Sequence, residues 1–274
     1  MGQAEIYSSE YYGRIADLET RHWWHIGMRR IAAALLRSQH GWRQGARVLD
    51  AGCGTGAGMM WARDLMGAGT VIGVDVSGEA LRLAKLRAGL PLAQASVLRL
   101  PFRSKSFDLV VCQDVLQHLP TDGADVHSLA EMYRVLRPGG HLLVRANSRL
   151  GMWQEATKRD ADFQRYILAE LVSRVRAAGF VGERATYANA LPAVYASFQR
   201  WVRLRARRDG RGRLYEGLGV QDTASRHPRL NRLLLYILKA EALYLRVPRR
   251  CLVFGHSTFC LAMRPVDGAT ARFG

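Results

Sequence analysis

Residues 48–56 read Val-Leu-Asp-Ala-Gly-Cys-Gly-Thr-Gly. An apolar run meets a carboxylate, Asp50, and then three glycines at alternate positions, Gly52, Gly54 and Gly56. Such glycines let the backbone turn sharply and approach a ligand where a Cβ would collide. A strand that ends in this turn and feeds a helix is a common way to hold a nucleotide-like cofactor at the carboxyl edge of a sheet. The next apolar run, Val71-Ile72-Gly73-Val74, ends in a second acid, Asp75. Its place, about twenty residues past the glycines, suits hydrogen bonding to a ribose diol.

Two cofactor classes fit these glycines. Gly52-x-Gly54-x-x-Ala57 satisfies the dinucleotide fingerprint, which would make the chain a nicotinamide-dependent oxidoreductase. Asp50 favours the other class. A fixed carboxylate pointing into a phosphate site repels a pyrophosphate and suits a cationic amino-acid group instead. A ribose with such a group and no phosphate describes S-adenosylmethionine.

Four blocks in order carry a family resemblance: 48–56, 71–77, 100–102 leading into 106–111, and 134–144. Over residues 46–145 the chain resembles class I S-adenosylmethionine-dependent methyltransferases, in particular the small-molecule (methyltransferase type 11, quinone methyltransferase-like) group. His22-Trp23-Trp24, with Arg29-Arg30, resembles an N-terminal element of bacterial members. The resemblance implies S-adenosyl-L-methionine as cofactor. Asp50, Gly52, Cys53, Gly54 and Gly56 would then carry its methionine end, Asp75 its ribose, and Val76 would pack beside the adenine. Ser96-Val97 falls where the family has Asp followed by a small residue at the adenine amino group. Here the acid is absent, and a hydroxyl accepts less strongly than a carboxylate. Gln113-Asp114 falls where the family places cofactor and substrate contacts. The Asn/Asp-Pro-Pro-aromatic motif of many nucleic-acid and protein N-methyltransferases is missing there; this chain reads Gln-Asp-Val-Leu-Gln-His-Leu over 113–119. That points to a small-molecule acceptor, apolar or anionic, and away from a nucleic-acid partner.

His118 is the candidate general base, because imidazole titrates near neutral pH. Tyr11, Trp23, Trp24, Asp114 and Glu241 are candidates for the acceptor pocket. Adjacent helical residues face about 100° apart, so at most one of Tyr11-Tyr12 and one of Trp23-Trp24 points fully inward.

The elements needed to position these residues follow from periodicity. A helix is expected over 9–39, strands over 47–50, 71–75, 92–95, 107–112 and 141–145, and helices between them, including 78–88 capped by Ser77 and 123–135. A breaker-rich turn is expected at 137–140. A helix over 160–178 and an antiparallel hairpin of 181–187 with 258–263 complete a Rossmann-like, seven-stranded α/β sheet with helices on both faces. The expected domains are an N-terminal helical cap (1–45), the core (46–187), a mainly helical insertion (188–257) forming a lid or substrate region, and the last strand with its tail (258–274).

A chain of 274 residues accommodates one such domain with an elaboration. Met1–Glu10 lacks the pattern of a signal peptide, and no apolar run reaches the length of a membrane span. The four cysteines form no metal spacing, so no metal is expected, and they read as reduced thiols of a cytoplasmic protein. The net charge of +17 is unevenly placed: residues 1–144 carry +3 and residues 145–274 carry +14. Seven Arg lie within 200–213, so an RNA-modifying methyltransferase or RNA-binding module is the alternative from another class. The stretch 228–246 reads as an apolar helix with Arg229, Arg232, Lys239 and Arg246 on one face, the pattern of an interfacial helix at a membrane surface, a packed helix or a homodimer contact. Glu241 falls on its opposite, apolar face, where a carboxylate must be paired or have a raised pKa.

Overall fold

The computed structural model describes residues 8–37, 45–67, 69–120, 122–148, 164–194 and 223–266. The elements run α1 (Ser9–Arg21), α2 (Trp23–Arg37), β1 (Val48–Ala51), α3 (Ala57–Met66), β2 (Val71–Asp75), α4 (Gly78–Ala88), β3 (Leu92–Gln94), β4 (Phe107–Gln113), α5 (Ala124–Val135), β5 (Leu136–Asn147), α6 (Leu168–Ala177), β6 (Val181–Ala188), α7 (Thr223–Arg226), α8 (Pro228–Arg246) and β7 (Ser257–Met263). The seven strands form one sheet in the order β3-β2-β1-β4-β5-β7-β6. β1 to β5 pair in parallel, and β7 runs antiparallel between β5 and β6, so the expected hairpin closes the sheet.

Apolar side chains on alternate strand positions explain the two layers. Val48, Val71, Leu109, Leu143 and Phe259 pack against α2, α3 and α8. Leu49, Val74, Val110, Val144 and Cys260 pack against α5 and α6 on the other face. Consecutive inward residues on both faces are what a buried parallel sheet requires. The strand order reverses between β1 and β4, and ligands bind outside the carboxyl ends of strands at such a switch point. Asp50 and Gln113 lie at those two ends.

Several element boundaries differ from the sequence expectation. The single helix over 9–39 is two helices, broken at His22, whose ψ of 132° is extended. The side chain of Asn231, from α8, fastens the break: its Oδ1 accepts from the Trp23 N–H at 2.9 Å and its amide donates to the Arg21 carbonyl at 3.1 Å. The turn expected at 137–140 lies inside the span of β5, where the pairing with β4 slips register between Phe107 and Leu109. α6 starts at Leu168 rather than at 160, because 164–166 are held extended; the Gln164 and Tyr166 N–H groups donate to the Gln117 and Asn147 carbonyls at 2.9 and 3.0 Å. Positions 160–163 lie outside the described residues.

Between β6 and β7 the described part of the chain is dominated by α8. Its buried face, formed by Leu234, Leu238, Ala242 and Leu245, lies on α2. Gly27 makes the crossing close, since a Cβ there would collide with Leu238.

Candidate active site

The glycine turn leaves β1 and enters α3. Gly52, Gly54 and Gly56 all have positive φ (86°, 52° and 87°). A Cβ at Gly54 would meet nothing within 4 Å, so its bare backbone faces open space at the sheet edge. Asp75 braces the turn, because its carboxylate accepts from the Gly54 N–H and the Ser77 N–H, both at 2.9 Å. Each carboxylate oxygen keeps a further acceptor site for a ribose hydroxyl. Val76, next in the chain, is 61% exposed, and the room beside it suits a flat ring.

Asp50 is the unusual group. It is 4% exposed, and among the described residues nothing hydrogen-bonds its carboxylate. Gly58 leaves room for it, since a Cβ there would lie 2.5 Å from Oδ2. Burial, with Glu19 and Asp75 nearby, pushes its pKa up to about 7, against the opposing field of Arg145. A buried carboxylate without a partner is costly unless a cation arrives. The turn therefore fits a ligand that brings positive charge and an open-backbone contact, which is the methionine end of S-adenosylmethionine. It fits a pyrophosphate poorly.

A clamp not foreseen from sequence secures this turn. Glu19, on α1, accepts from the Thr55 hydroxyl within the turn and pairs with Arg87 of α4. Arg87 also donates to the Ala16 carbonyl at 2.8 Å, and Arg29 of α2 donates to the Glu19 carbonyl. Burial raises the pKa of Glu19, opposed by Thr55 and then by Arg87. Thr55 lay within the recognised block; its partner is 36 positions away and carried no sequence signal.

The far side of the switch point is built around Asp114. It has φ of 58°, a left-handed conformation uncommon for a residue with a side chain and often found at functional sites. Its N–H donates to the Arg145 carbonyl at 2.9 Å, and its carboxylate holds the Arg145 guanidinium through both Nε and an Nη. Arg145 in turn lies 4.8 Å from the centre of the Trp24 ring, a cation–π contact that seats α2 over the sheet edge. Beside it, His25 Nε2 and Gln113 Oε1 are buried without a hydrogen-bond partner among the described residues. Burial, helped by Arg145, pushes His25 down to about 3, so its ring is neutral. His118 is exposed at this edge. Crowding by neighbouring atoms holds its pKa below the ordinary value despite Asp114 and Asp75 nearby, which keeps it unprotonated at neutral pH.

The remaining expected site residues fall as follows. Cys53 is buried, and burial with Asp50 and Asp75 raises its thiol pKa, so it packs and does not act as a nucleophile. The Ser96 hydroxyl accepts from the Leu98 N–H at 3.2 Å, and Val97 is buried in the core. Tyr12 and Trp23 are the buried members of their pairs, while Tyr11 and Trp24 are half-buried. Trp23 is fully buried in the packing of α2 against α8, which removes it from an open acceptor pocket. Asp114 is committed to Arg145 and so is a poor direct acceptor contact. Among the described residues Glu241 pairs with no arginine. Its two oxygens accept the backbone N–H groups of Asn189 and Ala190, where the chain turns into the helical segment 190–194. The Arg-rich stretch 200–213 lies outside the described residues.

Comparison with known proteins agrees with this geometry. Residues 49–144 match the family described as "Methyltransferase domain". The chain is 34% identical over 131 residues to the demethylmenaquinone methyltransferase of Lactiplantibacillus plantarum, covering 45% of this chain and 50% of that protein. It is 32% identical over 102 residues to the "Probable tRNA methyltransferase 9B" of Mus musculus, covering 37% of this chain and 22% of that protein. The matched stretch thus spans half or less of these curated relatives. Among solved structures, geranyl diphosphate C-methyltransferase from Streptomyces coelicolor, in complex with Mg2+, geranyl diphosphate and S-adenosyl-L-homocysteine, superposes with a TM-score of 0.56 at 15% identity, covering 95% of this chain and 86% of that one. The switch-point turn, its two carboxylates and the family match agree: residues 49–144 form a methyltransferase domain of the class I, S-adenosylmethionine-dependent family.

Proposed function

We propose that the chain transfers a methyl group from S-adenosylmethionine to an O, N or C atom of a small apolar or anionic acceptor, in specialised-metabolite or lipid and glycan biosynthesis. The observation that carries this reading is the buried, unpartnered carboxylate of Asp50 beside the open backbone of Gly54. When bound, the cofactor supplies a methyl carbon already activated by its sulfonium; the acceptor's electron pair forms the new bond as the carbon–sulfur bond breaks. The protein's part is positioning, exclusion of water and, for a hydroxyl or amine acceptor, removal of a proton. Asp50 and the turn hold the cationic end, Asp75 the ribose, and Val76 borders the adenine. Trp24, Gln113, His25 and the Asp114–Arg145 pair wall the acceptor side. His118, whose pKa crowding by neighbouring atoms holds below the ordinary value, is the general base in this reading.

The test is incubation with deuterated methyl donor and a panel of quinols, isoprenoid diphosphates and hydroxylated lipids, read by mass spectrometry. A methyl-shifted product in one class assigns the acceptor. A product only with tRNA would favour the second reading, an RNA methyltransferase using the basic stretch 200–213. That reading draws support from the charge of +14 on residues 145–274 and from the relative named for tRNA methylation. The expectation against a nucleic-acid partner rests on residues 113–119 alone.

A further inference from the structure

α8 has two apolar faces, and among the described residues only one of them is covered. Leu234, Leu238 and Leu245 are buried against α2. On the other side, Leu233 (56% exposed), Tyr236 (58%), Leu243 (66%), Tyr244 (42%) and Val247 (43%) recur at helical spacing along the outward face. From Leu233 to Val247 the stripe runs along about 21 Å of the helix. Of the four cations expected on one face, Arg232, Lys239 and Arg246 border one edge of this stripe, and Arg229 lies in line with it at the start of the helix. Arg232, Lys239 and Arg246 recur along that edge at seven-residue spacing. Lys239 sits 4.7 Å from the Tyr236 ring centre, and Arg250, just past the helix, sits 5.0 Å from that of Tyr244.

An ordinary solvated helix face is polar. A long apolar stripe bordered by cations, with aromatic rings beneath them, fits an interface that is apolar in depth and anionic at its surface. We infer that α8 is a docking surface for the anionic headgroup layer of a membrane, with the stripe in the acyl boundary and the basic edge among the headgroups. Charge complementarity selects this occupant over a second copy of the chain: the only acid of α8, Glu241, is buried, so the same face of a second copy would offer the basic edge no anionic partner, whereas a headgroup layer does. The helix lies on the membrane and does not cross it, since among the described residues no helix is long and apolar enough to do so. The inference uses no step of methyl transfer and stands apart from the proposed function.

The experiment is co-sedimentation of the full chain with phosphatidylcholine vesicles, with and without about one-third phosphatidylglycerol. Binding of S-adenosylhomocysteine by calorimetry serves as the folding control. The expected result is binding to the anionic vesicles at least tenfold stronger than to the neutral ones. Arg232→Gln and Lys239→Gln should each weaken it about fivefold, and Leu243→Glu at least tenfold, with the calorimetric signal unchanged. No sedimentation with anionic vesicles at low salt overturns the inference. So does binding that Leu243→Glu leaves intact, or light scattering showing a dimer that Leu243→Glu dissociates. A chain that binds vesicles but not S-adenosylhomocysteine would sink the methyltransferase reading and leave this one standing.

Discussion

Asp50 shows how one side chain couples stability to ligand choice. Its folded pKa of about 7 lies above the ordinary carboxylate value, so the folded state holds a proton that the unfolded state has released. Stability is therefore lost as pH rises from about 4 to about 7, and the loss persists above that. Asp50→Asn should raise the melting temperature of the ligand-free protein at pH 8 by roughly 2–6 °C and change it little at pH 4. The same substitution should weaken S-adenosylhomocysteine binding at least tenfold, because the cationic group loses its partner. Thermal melts and calorimetry on one preparation read both effects. At His118, an alanine variant should lower kcat about a hundredfold if the imidazole removes a proton. Turnover within a few-fold of wild type would take it out of the mechanism. The sharp turn of the glycine block was legible because the backbone conformation it demands is local. The ion pair of Asp114 with Arg145 was not legible, because the two residues are 31 positions apart.

At the scale of elements, what periodicity and punctuation encode came through. α8 runs over the residues expected, Ser77 caps α4 through the Ala80 N–H, and β6 pairs with β7. What tertiary contacts decide did not come through. The break at His22 depends on Asn231, more than 200 positions distant, and the clamp on the glycine turn depends on Glu19 meeting Thr55 and Arg87. The clamp makes α1 part of the cofactor site. Glu19→Ala strands Arg87 and frees the turn, so it should cost about 2–4 kcal/mol of stability and raise the KM for the methyl donor more than it lowers kcat. Denaturant melts with steady-state kinetics test this, and an unchanged KM would show the clamp to be structural only. Glu241 is a helix-starting acceptor, so Glu241→Gln should cost about 1–2 kcal/mol by denaturant melt while leaving kcat and KM near wild type.

The whole molecule divides its labour along the chain. A nearly neutral amino-terminal half carries the cofactor turn at the switch point of the sheet, and a strongly basic carboxyl-terminal half supplies the strand pair β6–β7 and α8. The charge asymmetry was readable from composition, but the apolar outward face of α8 emerged only when packing showed which of its two faces α2 covers. The most direct measurement is calorimetric titration of the intact chain with S-adenosylhomocysteine and, separately, with NADH, at pH 8 and pH 6. The expected outcome is binding of the nucleoside alone, with affinity falling about tenfold at the lower pH as Asp50 takes up its proton. Binding of NADH alone, or no binding of either ligand, would contradict the assignment.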